Sequence, residues 1–178
     1  MSTKLKKEIF EWVKTIALAL VLAAVITSVV APTIVSGESM YPTLKNKDYL
    51  FINKLSYINK GPKRGDIIVF ETDLVDDESG KNKDLVKRVI GLPGEHIVIR
   101  DNQVIINDEI LEEEYLDDVY TDGDIDMIIS ENHIFTMGDN RPNSGDSRQY
   151  NLGAIDIDNI IGKVVIRLYP FKTIGKVN

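Results

Sequence analysis

The chain opens with a hydrophobic block. Between Lys14 and Glu38 no side chain carries a charge, and the stretch is rich in Ile, Leu, Val and Ala. At a rise of about 1.5 Å per residue, roughly 20 such positions cover the ~30 Å hydrocarbon core of a bilayer. The pattern predicts one transmembrane helix over residues 15–35. A cleavable secretory leader has a shorter apolar region, of about 7–15 residues, and ends in small residues. Here the run is longer, and its best small-residue end, Val29-Val30-Ala31, is followed by Pro32. Residues 1–14 carry Lys4, Lys6, Lys7 and Lys14, with Phe10 and Trp12 placed to sit at the inner interface. The positive-inside tendency puts this segment in the cytoplasm and sends residues 36–178 outward. No comparable run follows, so a single pass is expected.

Beyond Pro42 the period shortens. Residues 48–53, 66–71 (after the turn at 61–65), 85–90 and 162–169 read as strands separated by turn residues. Residues 96–100 and 103–107 flank Asp101-Asn102 and read as a hairpin. Residues 72–84 and the acidic stretch 107–132 read as exposed loops. Many short strands with few helical periods predict a mainly β domain.

With 178 residues there is room for one compact domain besides the span. The absence of cysteine excludes disulfides, a thiolate nucleophile and a Cys-based zinc site. A formal net charge of −7 argues against nucleic acid as a partner, since binding phosphates needs a basic stripe. The segment Asp122-Gly123-Asp124-Ile125-Asp126 supplies hard oxygen atoms but lacks the EF-hand order, so it reads as a solvated loop. No metal and no cofactor are expected.

The candidate chemistry lies where the chain leaves the apolar block. Ser36-Gly37-Glu38-Ser39-Met40-Tyr41-Pro42 displays a hydroxyl on a small-residue turn, which makes Ser39 a candidate nucleophile. A serine needs a base. His96 opens a strand after Pro93-Gly94-Glu95 and His133 precedes an apolar strand, so neither is favoured. Alternation in residues 85–90 puts Lys87 on one face with Leu85 and Val89. An ordinary lysine, with a pKa near 10.4, is neutral about once in 2,500 at pH 7, a penalty of roughly 4.6 kcal/mol. Burial reduces that penalty. On this segment alone, a lysine snorkelling from a strand edge is the plainer reading.

Four segments in order change that balance: Ser39-Met40-Tyr41-Pro42-Thr43, Arg64-Gly65-Asp66-Ile67, the run Lys87-Arg88-Val89-Ile90-Gly91-Leu92-Pro93-Gly94-Glu95, and the run from Gly138-Asp139-Asn140-Arg141 through Ser144-Gly145-Asp146-Ser147-Arg148. Together they resemble type I signal peptidases, membrane-anchored Ser/Lys endopeptidases that remove signal peptides from exported preproteins. The resemblance spans the anchor and nearly the whole outer domain. It implies Ser39 as nucleophile, Lys87 as general base and Ser144 as the hydroxyl orienting the Lys87 amine, with the Ser39 N–H in the oxyanion hole. Some members carry a serine two positions before the nucleophile; this chain has Gly37 there. The resemblance further implies that Val35, Met40 and Val86 line shallow substrate pockets. Asp139, Arg141, Asp146 and Arg148 would support the last motif as structural ion pairs. Lysine at 87, the single span and the compact insertion are similar to the smaller Gram-positive-type enzymes. The implied fold is a β-rich core of coiled antiparallel sheets with a small cap over about residues 96–136. The implied partners are the signal peptide region of preproteins and the bilayer. Two other readings share parts of this pattern: a self-cleaving Ser/Lys peptidase, and a membrane-anchored β-domain that binds peptides without cutting them.

Overall fold

A computed structural model describes residues 3–76, 80–116 and 119–177. The apolar block forms one long helix, α1 (Thr3–Val29), whose most apolar 18-residue window has a mean hydropathy of 2.1 and is not buried in the protein. Among the described residues it is the one helix long and apolar enough to cross a membrane. The helix stops at Val29, six residues before the end expected from composition. Residues Val30–Ile34 form strand β1 instead, antiparallel to β2 (Tyr49–Asn53), with Val30 opposite Asn53 and Ile34 opposite Tyr49. Pro32 is the reason. Inside a helix it would remove one hydrogen bond and press its ring on the preceding turn, whereas an edge strand tolerates a missing donor.

The remaining strands follow as β3 (Ile67–Val75), β4 (Asn82–Gly91), β5 (His96–Arg100), β6 (Gln103–Ile106), β7 (Glu109–Ile110), β8 (Ile125–Ile128), β9 (His133–Met137), β10 (Ile155–Asp156), β11 (Ile160–Tyr169) and β12 (Gly175–Lys176). They build an eight-stranded sheet ordered β1-β2-β11-β3-β4-β9-β10, with β12 on β11, and a four-stranded sheet ordered β7-β6-β5-β8. Every pairing is antiparallel. The mainly β architecture with an N-terminal helix is therefore the one the pattern predicts.

Two stretches expected as loops are more ordered than that. The segment 72–84 supplies the ends of the β3–β4 hairpin, with Val75 opposite Asn82. The acidic stretch 107–132 contributes β7 and β8. Only the smaller sheet stands apart as a cap. Residues 133–136 belong to β9, paired to β4 in the main sheet, so the cap is shorter than the expected 96–136.

Period-two patterning explains how β3 sits in the middle. Ile67 and Val69 join a core of Val35, Met40, Leu44, Leu50, Ile52 and Val164, while Ile68 and Phe70 join Val89, Ile134 and Ile155 on the other face. A third cluster, including Ile90, Phe135 and Met137 from the main sheet and Ile97, Ile99 and Val104 from the cap, joins the two sheets.

Candidate active site

Ser39 lies on a turn anchored at both ends. The Val35 N–H donates to Asp48 O (2.9 Å), the Lys47 N–H to Val35 O (2.8 Å) and the Leu44 N–H to Met40 O (2.8 Å). Gly37 sits at φ +97°, a conformation that a side chain strains, which suits glycine at that position. A second segment holds the turn from the other side: the Asn140 N–H donates to Ser39 O (2.9 Å), and Asn140 Nδ2 donates to Glu38 O (3.0 Å). Gly138 completes this contact. A Cβ there would collide with both Ser39 O and Ser144 Oγ, so only glycine permits the approach.

β4 carries Lys87 to the turn. Its side chain is buried, with the residue only 2% exposed, and Nζ stands 2.7 Å from Ser39 Oγ and 3.0 Å from Val86 O. The snorkelling alternative is excluded by that burial. Desolvation draws the Lys87 pKa down from its ordinary 10.5 to about 8, against the attraction of Asp146 and Asp139, which would raise it. Once the amine is neutral, the same 2.7 Å contact lets the hydroxyl donate to nitrogen.

Ser144 follows a short 3₁₀ turn, Arg141–Asn143, and its Oγ is buried beside Gly138. The hydrogen bond to Lys87 that the sequence implies is not made: Ser144 Oγ has no well-formed partner among the described residues. It nonetheless lies near enough to Asp146 to help favour the carboxylate. Burial alone would raise the Asp146 pKa, but hydrogen bonds and charge from Arg148, with the Gly138 N–H at 3.1 Å, hold it below the usual carboxylate range. Arg148 meets Asp146 through Nε (2.8 Å) and Nη2 (2.9 Å) and reaches Asp122 (2.6 Å).

Arg88, next to the lysine on the opposite face of β4, makes a bidentate pair with Asp139 at 2.9 and 2.7 Å. Asp139 also accepts from Thr43 Oγ1 (2.5 Å), which ties the Ser39 turn to the pair. The Arg88 guanidinium stacks 3.9 Å above the Tyr115 ring. Arg141 forms a bidentate pair with Glu113 and donates to Thr121 Oγ1 (2.8 Å). Thr43, Asn140, Glu113 and Tyr115 were not singled out from the sequence. Thr43 and Asn140 stand inside the quoted motifs and were legible as candidates. Glu113 and Tyr115 lie in the acidic stretch, where nothing local distinguishes them from solvated residues.

A cavity of about 280 Å³ opens beside the dyad, and Val35, Ser36, Ser39, Val86 and Lys87 are among its walls. It runs along residues 84–87 of β4, whose edge is free among the described residues because β9 pairs only from Arg88 onward. A groove along a strand edge is bordered by both faces, so Val86 and Lys87 line it together despite alternation. Met40 does not reach it. At 1% exposure it is packed in the core with Leu44 and Leu50, a correction to the pocket role expected for it. Neither histidine contacts Ser39: His96 pairs with Asp126 in the cap (2.7 Å), and His133 faces Glu131 O (3.1 Å).

The lysine sets a pH dependence. Only the neutral amine has a lone pair for the Ser39 proton, so chemistry that uses Lys87 as a base is expected to rise through an apparent pKa near 8. A profile flat from pH 6 to 10 would remove Lys87 from the role of base.

Residues 9–169 match the family described as "Signal peptidase, peptidase S26". The chain is 38% identical over 186 residues to signal peptidase I S of Bacillus subtilis, covering 97% of this chain and 96% of that protein. It is 34% identical to signal peptidase IB of Staphylococcus aureus strain COL, covering 94% and 93%. A solved signal peptidase I from Enterococcus faecalis is 30% identical and aligns with 58% of this chain and 97% of that one, with a TM-score of 0.47.

Proposed function

This chain belongs to the signal peptidase family, peptidase S26, and from that membership we propose that Ser39 and Lys87 are its nucleophile and general base. The protein is a serine endopeptidase that removes signal peptides. The observation carrying the residue assignment is the 2.7 Å contact between Ser39 Oγ and the amine of a buried lysine. An inert peptide-binding domain gains nothing from desolvating an amine beside a serine.

The preprotein enters the groove as an extended strand along the free edge of residues 84–87, where main-chain pairing supplies affinity. Val35 and Val86 narrow the walls so that small side chains fit near the scissile bond. Ser39 Oγ attacks the carbonyl carbon while Lys87 Nζ takes its proton. The Ser39 N–H has no acceptor among the described residues and points the oxyanion to a main-chain donor. Gly37 adds no side-chain donor. The C–N bond then breaks, and the Lys87 ammonium gives its proton to the leaving amine. In the second half, water attacks the acyl ester, Lys87 takes a water proton and returns it to Ser39 Oγ, and the carboxylate product leaves. Ser144, whose buried Oγ lies beside Gly138, is the hydroxyl assigned to orient the Lys87 amine. Asp139, Arg141, Asp146 and Arg148 hold the two segments in register and move no protons.

The N-terminal helix anchors the protein in the membrane. A cytoplasmic N-terminus with Lys4, Lys6, Lys7 and Lys14, and a single pass, set the peptidase domain outside. Confinement to one plane raises the effective concentration of enzyme and preprotein. Incubation with a preprotein and mass mapping of the cut should locate one site on the C-terminal side of the apolar signal. Protease added to intact cells with the outer face exposed should digest the domain from about residue 36 and leave a small protected fragment. Protection of the whole domain until lysis would overturn this topology.

A further inference from the structure

The catalytic groove and its supporting ion pairs leave one basic site unused. Residues 54–63, Lys-Leu-Ser-Tyr-Ile-Asn-Lys-Gly-Pro-Lys, carry three lysines and no acid in a chain whose net charge is −7. The start of this loop is fixed to the end of the membrane helix, because the Lys54 N–H donates to Val29 O at 2.9 Å. A cavity of about 330 Å³ opens on the loop, lined by Asn53, Ser56, Tyr57, Lys60, Lys63 and Lys163, among others. Its one carboxylate, Asp66, is already occupied: Lys163 Nζ lies at 2.5 Å, Tyr57 OH donates at 2.9 Å and the Lys63 N–H donates at 3.1 Å. The ammonium groups of Lys54, Lys60 and Lys63 have no ion-pair partner among the described residues. The same loop exposes two apolar side chains, Leu55 at 45% and Ile58 at 67%.

We infer that this cavity binds the phosphate of an anionic phospholipid headgroup, with Lys60 and Lys63 as its principal cations. The chemistry selects the ligand in two steps. Two unpaired ammonium groups and the Ser56 hydroxyl around a cavity call for an anion rich in acceptor oxygens. Attachment to the helix end then puts the site at headgroup depth. There Leu55 and Ile58 can enter the acyl boundary while the lysines reach the phosphates. A soluble anion would need neither apolar residue. The inference rests on the helix being the membrane anchor. It also gives the peptidase domain a second hold on the bilayer, independent of the groove.

The test uses the full-length protein in nanodiscs containing equal amounts of phosphatidylglycerol and phosphatidylcholine, with retained lipid counted by native mass spectrometry. The unaltered protein should retain phosphatidylglycerol in preference, less so in high salt. Lys60→Gln with Lys63→Gln should reduce that preference on the order of tenfold, and Lys60→Arg with Lys63→Arg should keep it. Cleavage of a short soluble peptide should be unchanged in both variants, which separates loss of the lipid site from failure of the peptidase assignment. No preference in the unaltered protein, or full preference in the glutamine variant, overturns the proposal. Saturation of the site by inorganic phosphate, with equal retention of both lipids, overturns it in favour of a soluble anion.

Discussion

Ser39→Ala and Lys87→Ala should each lower preprotein cleavage by about 10⁴-fold, and the double variant should be little worse than either single one. Groups that act as a unit show this non-additivity, because removing one leaves the other with nothing to do. Lys87→His should also stay inactive, since imidazole is shorter and leaves its acceptor nitrogen short of Ser39 Oγ. Near-normal turnover by Lys87→Ala would sink the assignment. Stability should move the other way. The Lys87 pKa is lower folded than unfolded, so the unfolded chain binds more protons between about pH 8 and 10.5. The cost of keeping this lysine buried is therefore full below pH 8 and vanishes as pH rises to 10.5. Lys87→Met should remove that dependence and raise Tm at pH 7 while abolishing cleavage, and thermal unfolding at two pH values would check it.

Asp139→Ala is expected to be the most destabilising substitution at the site, by about 3–5 kcal/mol. The Arg88–Asp139 pair is buried, with side-chain exposures of 3% and 1%, and losing the carboxylate takes away the bidentate acceptor of a buried guanidinium. Thr43 loses its acceptor in the same step, so the Ser39 turn should loosen and activity should fall with stability. Arg88→Met combined with Asp139→Leu should recover part of the loss, because neither charge of the pair then has to be desolvated. Equal Tm values for Asp139→Ala and the unaltered protein would show that the pair contributes nothing.

Much of this protein is set by local pattern. An uncharged block of bilayer length forms a helix because every backbone group is satisfied within it. Alternating short runs form strands because one face of each can be buried. Pro32 could have moved the helix end back to Val29, since its effect on a helix is local. The position of Ser39 on a turn with Gly37 could also be read directly. The order of four motifs was enough to point to the signal peptidase family.

What tertiary structure decided is every property that depends on residues distant in the chain. Lys87 carries the same alternation whether it snorkels or is buried, and only the packing of β4 under the Ser39 turn buries its amine 2.7 Å from Ser39 Oγ. Met40 and Val35 are similar in sequence terms and share one buried core cluster, yet only Val35 also borders the groove. Glu113 and Tyr115 look like part of a solvated acidic stretch until Arg141 and Arg88 meet them across the fold. Desolvation, charge pairing and groove shape are set by what surrounds a side chain in space, and the linear order of residues specifies those surroundings only through the finished fold.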